Sequence, residues 1–242
     1  MIPSASPIRS AGGLAGFTAE QVTAENAAFM RKVYAFMSGG LGLTALVAWM
    51  IAHSSVAIDI IYGHRGIIRL LFAAQIVTVL AFTFLAQKMK ASGAATLFFL
   101  YSVLTGITLS SIFLVYTTSS ITTTFLVTAG TFGGMSIYGF VTKRDLSGVG
   151  HFMMMGLWGL IIASIANFFM RSETIYWVTT FMGVLVFTGL TAYDTQKIKE
   201  LNVIGNAGTD EDHKEAIHGA LVLYLDFINM FLYLLRLFGR RR

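Results

Sequence analysis

Charge is the scarcest ingredient of this 242-residue chain, with acidic and basic residues together making up only 12%. A soluble chain carries roughly 25%, and a water-facing surface cannot be built from so few charges. Lipid can serve as the outer solvent instead. Cysteine is absent, which excludes disulfides, thiol catalysis and thiolate-ligated metal sites together. There are only two prolines, Pro3 and Pro7, both near the beginning of the chain, so no later apolar run contains the commonest cause of a sharp helix kink. No phosphate-cradling Gly-x-x-x-x-Gly-Lys-Ser/Thr occurs, and ATP-driven transport is therefore unsupported. The formal charge of +5 does not indicate nucleic acid. The basic residues stand between and after apolar runs rather than interleaved with aromatics, a placement that suits topology determinants.

Long apolar runs are what the chain does have. Hydrophobic residues make up 55% of it. Residues 1–30 read as a polar, mostly disordered tail without the apolar core of a signal peptide. Residues 31–242 read as a seven-span transmembrane domain. The runs cover about 33–52, 67–86, 94–116, 121–141, 151–170, 175–193 and 216–238. Each is too long for a strand and too uncharged for a surface helix, and a membrane barrel would need short alternating segments. Glycine, alanine, serine and threonine are frequent within the runs, as in Gly39–Gly42 and Gly130–Gly134, and such residues let helices approach closely in lipid. The lipid bilayer is thus the first partner.

Lys and Arg set the orientation. With seven spans, one side carries ten of them: Arg9, Arg31, Lys32, Lys88, Lys90, Lys143, Arg144, Lys197, Lys199 and Lys214. The other carries seven: Arg65, Arg69, Arg171, Arg236, Arg240, Arg241 and Arg242. The loops favour a cytoplasmic N-terminus, whereas the final arginine cluster opposes an outside C-terminus. A last segment that re-enters without crossing would remove the conflict; seven full spans is the preferred reading.

Ionisable residues inside spans usually mark a cavity, a pathway or a paired site. Asp226 lies in the apolar sequence Leu221–Ile228. Asp226, Asn229, Tyr233 and Arg236 are spaced i, i+3, i+7 and i+10, an arc of about 80° on a helix. Asp194 stands near the end of the sixth span, with Thr191 and Thr180 on roughly its face. Consecutive spans are antiparallel, so the two aspartates enter the membrane from the same side. Two carboxyls within a few ångström cannot both ionise easily, which makes them a pH-sensitive element. Deprotonated, they suit a hard cation such as calcium. Blander readings stand beside these: Asp194 as an interfacial residue, Asp226 as an inert interhelical hydrogen-bonding group, Arg236 as a snorkelling end residue. The acidic stretch Asp210–Glu215 reads as a solvated loop entering the last helix, where acids complement the dipole. His53, His64, His151 and His218 share no ligand spacing.

Four segments carry a resemblance. Ala192–Gln196 and Leu223–Asn229, together with Gly106–Ser110 and Lys143–Leu146, resemble signatures of the Bax inhibitor-1 (transmembrane BAX inhibitor motif) family, over nearly the whole chain from about Arg31. The wording Thr142–Gly148 is most similar to the proteobacterial inner-membrane branch. The resemblance implies an all-α membrane protein, a seven-transmembrane helix bundle with the last helix central. It further implies a pH-dependent calcium leak gated by a di-aspartyl sensor at Asp194 and Asp226, and in some bacterial relatives modulation of a membrane-embedded AAA protease. Family members can place an arginine latch near the end of the second span; Gln87 stands there, with Lys88 next to it as the candidate substitute.

Three function classes follow. The first is a passive pH-gated cation conduit in the bacterial inner membrane, with no enzymatic step and no resident cofactor. The second is a non-conducting regulator that binds a membrane AAA protease or another membrane partner through its polar tail. The third is an intramembrane aspartyl protease, disfavoured because Leu223-Tyr224-Leu225 before Asp226 lacks the glycines that admit a substrate backbone. Sequence leaves the oligomeric state open.

Overall fold

The computed structural model describes residues 17–242. Among the described residues the secondary structure is helical, with one isolated bridge between Tyr116 and Arg241 as the sole β pairing. The helices are α1 (Ala19–Ala52), α2 (Ser55–Gly63), α3 (Arg65–Leu85), α4 (Ala91–Leu109), α5 (Ser111–Val115), α6 (Thr118–Val141), α7 (Ser147–Met170), α8 (Glu173–Leu201) and α9 (Asp210–Phe238). Seven stretches are long and apolar enough to cross a membrane, one each in α1, α3, α6, α7, α8 and α9 and one running from α4 into α5. The chain is a seven-span all-α membrane protein. The last helix carries the largest buried share, half of its most apolar window.

The ends of the helices differ from the sequence reading where polar groups cap them. Thr18 and Gln21 form a reciprocal capping box: the Gln21 amide donates to Thr18 Oγ1 at 3.2 Å and the Thr18 amide to Gln21 Oε1 at 2.8 Å. This start signal makes residues 19–30 helical, so that part of the stretch expected to be a disordered tail is the first third of α1; residues 1–16 lie outside the described residues. At 34 residues, α1 is about 50 Å long and exceeds the roughly 30 Å hydrocarbon core.

The chain forms two compact units. The first contains α1–α4 with Ile198–Leu221. Its helices close on small residues: a Cβ on Gly106 would stand 2.7 Å from the Thr44 carbonyl oxygen, and Thr44 Oγ1 donates to the Ser102 carbonyl at 2.9 Å. The connection between α8 and α9, expected to be long, spans only residues 202–209 because both helices extend into it. It is fastened to α1 by Asn202 donating to Asn26 at 2.9 Å and by the Gly205 amide donating to Glu25 at 2.7 Å. The acids Asp210, Glu211 and Asp212 do occupy the first turn of α9. Asp212, however, is not solvated. It is buried, ion-paired with Lys32 and accepts from the Gly208 amide.

The second unit contains Ser110–Lys197 and Val222–Arg242, that is α5, α6, α7, most of α8 and the longer part of α9. Within it α9 runs the full length of α8. Its Arg236 end lies beside Tyr176, near the start of α8, while Asp226 meets Asp194 toward the other end. The segment after α9 is hydrogen-bonded to the α5–α6 connection, with the Thr117 amide donating to the Arg240 carbonyl and the Arg242 amide to the Val115 carbonyl. The last segment therefore crosses rather than re-enters, and the final arginines stay at the end reached by crossing.

Candidate functional site

Threonines line the path of α8 toward the site. Thr180 and Thr191 are fully buried, yet each hydroxyl donates to a carbonyl one turn back in its own helix, to Tyr176 and Phe187, both at 2.7 Å. Their polarity is thus satisfied locally, as serine and threonine commonly do within apolar helices. Thr191 consequently does not support the aspartates by a side-chain hydrogen bond.

One turn further on, α8 changes character. Asp194 is only 5% exposed, and so is Asp226 on α9. Their carboxyl groups stand next to each other, close enough to interact directly. This excludes the reading of Asp194 as a solvated interfacial residue. Two ionised carboxylates are both acceptors, so a hydrogen bond between them would require a shared proton. Asp226 Oδ2 is buried and has no hydrogen-bond partner. A buried oxygen left unmatched in this way is costly.

The residues that hold the pair in place come from the elements around α8. Thr195 and Ser136 of α6 share a hydroxyl–hydroxyl bond of 2.9 Å. Gln196 bridges the α6–α7 connection at both ends of its amide: Oε1 accepts from the Leu146 amide and Nε2 donates to the Arg144 carbonyl, each at 2.9 Å. The approach of α6 depends on Gly139, where a Cβ would fall 2.2 Å from the Ala192 carbonyl oxygen. Ala192–Gln196 and Lys143–Leu146 stood out in the sequence as family signatures, but none of these residues was given a supporting role there. Their signal was the polar run Thr195-Gln196 directly after Asp194, which reads equally well as the beginning of a loop. Phe125 and Phe132 of α6 pack edge-on against Phe227, at 5.5 and 5.4 Å between ring centroids, and close the apolar side next to Asp226.

The stripe on α9 continues away from the pair. Asn229 is half-buried and donates to the Leu225 carbonyl of its own helix at 2.8 Å. Tyr233 stacks on Phe187 at 5.8 Å. The Arg236 guanidinium stands 5.3 Å from the Tyr233 ring and 6.0 Å from the Tyr176 ring. The periodicity is as expected, but only Asp226 reaches Asp194. Lys88 belongs to the first unit, where it is exposed in a short 3₁₀ turn, Ala86–Lys88. Among the described residues no group of three or more His, Cys, Asp or Glu side chains could hold a metal. Calcium takes six to eight oxygens, so any ion at the pair would keep most of a water shell.

A family model for the inhibitor of apoptosis-promoting Bax1 matches residues 26–242. The chain belongs to the Bax inhibitor-1 family. It is 51% identical to the Escherichia coli inner membrane protein YbhL over 215 residues, 88% of this chain and 92% of that one. It is 44% identical to an uncharacterized Borreliella burgdorferi protein, with 88% and 92% covered, and 42% identical to the uncharacterized Rickettsia prowazekii protein RP147, with 88% and 90% covered. As a Bax inhibitor-1 family member it is an integral, multi-pass membrane protein, and its two late-span motifs fall on the helices that carry the buried aspartates.

Proposed function

We propose that this protein is a passive, pH-gated cation conduit of the inner membrane, with calcium as the permeant ion and Asp194 and Asp226 as the gate. The observation that carries the reading is the burial of the two aspartates beside each other on neighbouring helices. With the shared proton in place, α8 and α9 are held together through the pair. When the proton is lost, two like charges face each other in a low-dielectric interior, and the closed arrangement is disfavoured by their repulsion. The two states differ in proton affinity, so rising pH shifts the population toward the open one. The freed carboxylates then offer hard oxygen ligands to a passing cation. The conduit performs no bond-making step, and its driving force is the ion gradient. The basic loops support a cytoplasmic N-terminal side, and similarity to the E. coli inner membrane protein YbhL supports the inner membrane.

The test is calcium flux into dye-loaded proteoliposomes between about pH 6 and 8, on either side of neutrality. Flux that rises with pH in the wild type, and whose pH profile is lost in Asp194→Asn and Asp226→Asn, is the expected result. Folded protein without flux at any pH would refute the conduit. It would put a non-conducting regulator, for instance of a membrane-embedded AAA protease, in its place.

A further inference from the structure

The second unit has a cleft at the end of α9 remote from the aspartates, ten residues or about 15 Å along the helix from Asp226. Its volume is about 540 Å³. Two arginines meet there. Arg236 is exposed and set against the rings of Tyr176 and Tyr233. Arg241 is brought in by the segment after α9, whose backbone pairs with the α5–α6 connection and whose Arg240 amide also donates to Ser120 Oγ at 3.0 Å. Tyr116 and Tyr176 line the cleft beside Arg241, close enough for their hydroxyls to act on its guanidinium. Both cations are therefore held in place by neutral groups. Among the described residues neither has a carboxylate within ion-pair distance, and no acidic side chain lines the cleft. A charge at the membrane edge without a counter-ion calls for one from outside the chain.

The other wall of the cleft supplies the second half of the recognition. Phe168 of α7 lines it and is 78% exposed, next to Phe169 at 77% and Met170 at 66%. This surface continues along α7, of whose apolar window only 6% is buried. A guanidinium pair that opens directly onto a lipid-facing apolar surface matches an amphiphile better than a free ion. Arginine's planar fork suits phosphate oxygens.

We propose that this cleft binds an anionic phospholipid, its phosphate on Arg236 and Arg241 and its acyl chain along Phe168 and α7. The site is independent of the aspartate gate. It also gives a reason for arginines at an end of the protein where the bias of basic residues toward the cytoplasmic side would not place them.

The test uses the purified full chain in detergent, titrated with dihexanoyl phosphatidylglycerol, dihexanoyl phosphatidylcholine and inorganic phosphate and followed by native mass spectrometry. Saturable binding of the phosphatidylglycerol, about tenfold or more tighter than of the phosphatidylcholine, is expected. The Arg236→Gln/Arg241→Gln variant should lose about tenfold of that affinity, and Arg240→Gln/Arg242→Gln should keep it. Equal binding of the two lipids, equal binding by wild type and the first variant, or equal loss in the second variant would each overturn the proposal. Inorganic phosphate binding as tightly as the lipid would overturn its lipid half. Photo-crosslinking of wild-type protein needs no variant. Diazirine-bearing phosphatidylglycerol should label residues 164–176 in excess over its phosphatidylcholine counterpart, and identical labelling patterns would refute the site.

Discussion

Helices α7 and α9 are both apolar enough to span a bilayer, yet they occupy opposite extremes of burial, 6% against 50% of their most apolar windows. α7 carries no Asp, Glu, Lys or Arg within Ser147–Met170, and its Phe152, Trp158, Ile162 and Phe168 all face outward. α9 carries Asp226, Asn229, Tyr233 and Arg236 and buries most of its length. The relation familiar from water-soluble proteins is inverted. When the surroundings are as greasy as leucine, apolarity no longer marks the inside. The polar residues mark it, because only there can they find partners.

That contrast can be broken at several points. The largest effect is expected at the pair itself. Asp226→Asn removes the titrating group while keeping its size, so proteoliposome calcium flux should lose its rise with pH altogether; an unchanged profile would make the buried aspartate structural. Next comes the close approach of α6 and α8. Gly139→Leu places atoms where the Ala192 carbonyl already stands 2.2 Å from the position of a Cβ, and overpacking of this kind costs about 1–3 kcal/mol, read as a lowered melting temperature in detergent. Gln196→Ala strands the Leu146 amide and the Arg144 carbonyl together. About 1–3 kcal/mol is again expected, with the α6–α7 connection exchanging amide hydrogens faster. The smallest effect belongs to α7, where Ile162→Ala trims a side chain that touches lipid and should shift stability by less than about 0.5 kcal/mol. A cost of several kcal/mol at Ile162 would mean that α7 is covered by protein in the membrane.

The same inversion explains what could be read in advance. The seven runs were legible because each repeats one local property over some twenty residues, and Asp226 because a lone carboxylate in such a run has no bland surroundings. The i, i+3, i+7, i+10 spacing predicted the stripe on α9. The supports of Asp194 were not legible, because they are long-range contacts: Gln196 acts on a connection 50 residues earlier in the chain, and Gly139 matters only through what stands opposite it. The start of α1 was legible in principle, since Thr18 and Gln21 have the capping-box spacing, but a search guided by hydropathy passes over a helix that begins in polar sequence. Asp212 looked solvated among its acidic neighbours, and only its burial against the half-buried Lys32 tells it apart.

The threonine hydroxyls of α8 have a mechanical consequence. Thr179, Thr180, Thr188 and Thr191 all donate to carbonyls of their own helix, whereas Thr195 and Gln196 reach across to other elements. Among these residues the hydrogen bonds to other elements are therefore gathered at one end of the helix. Over the rest of its length, movement of α8 past its neighbours breaks no hydrogen bond made by these threonines and is opposed by side-chain packing alone, as at Gly183 against Tyr233.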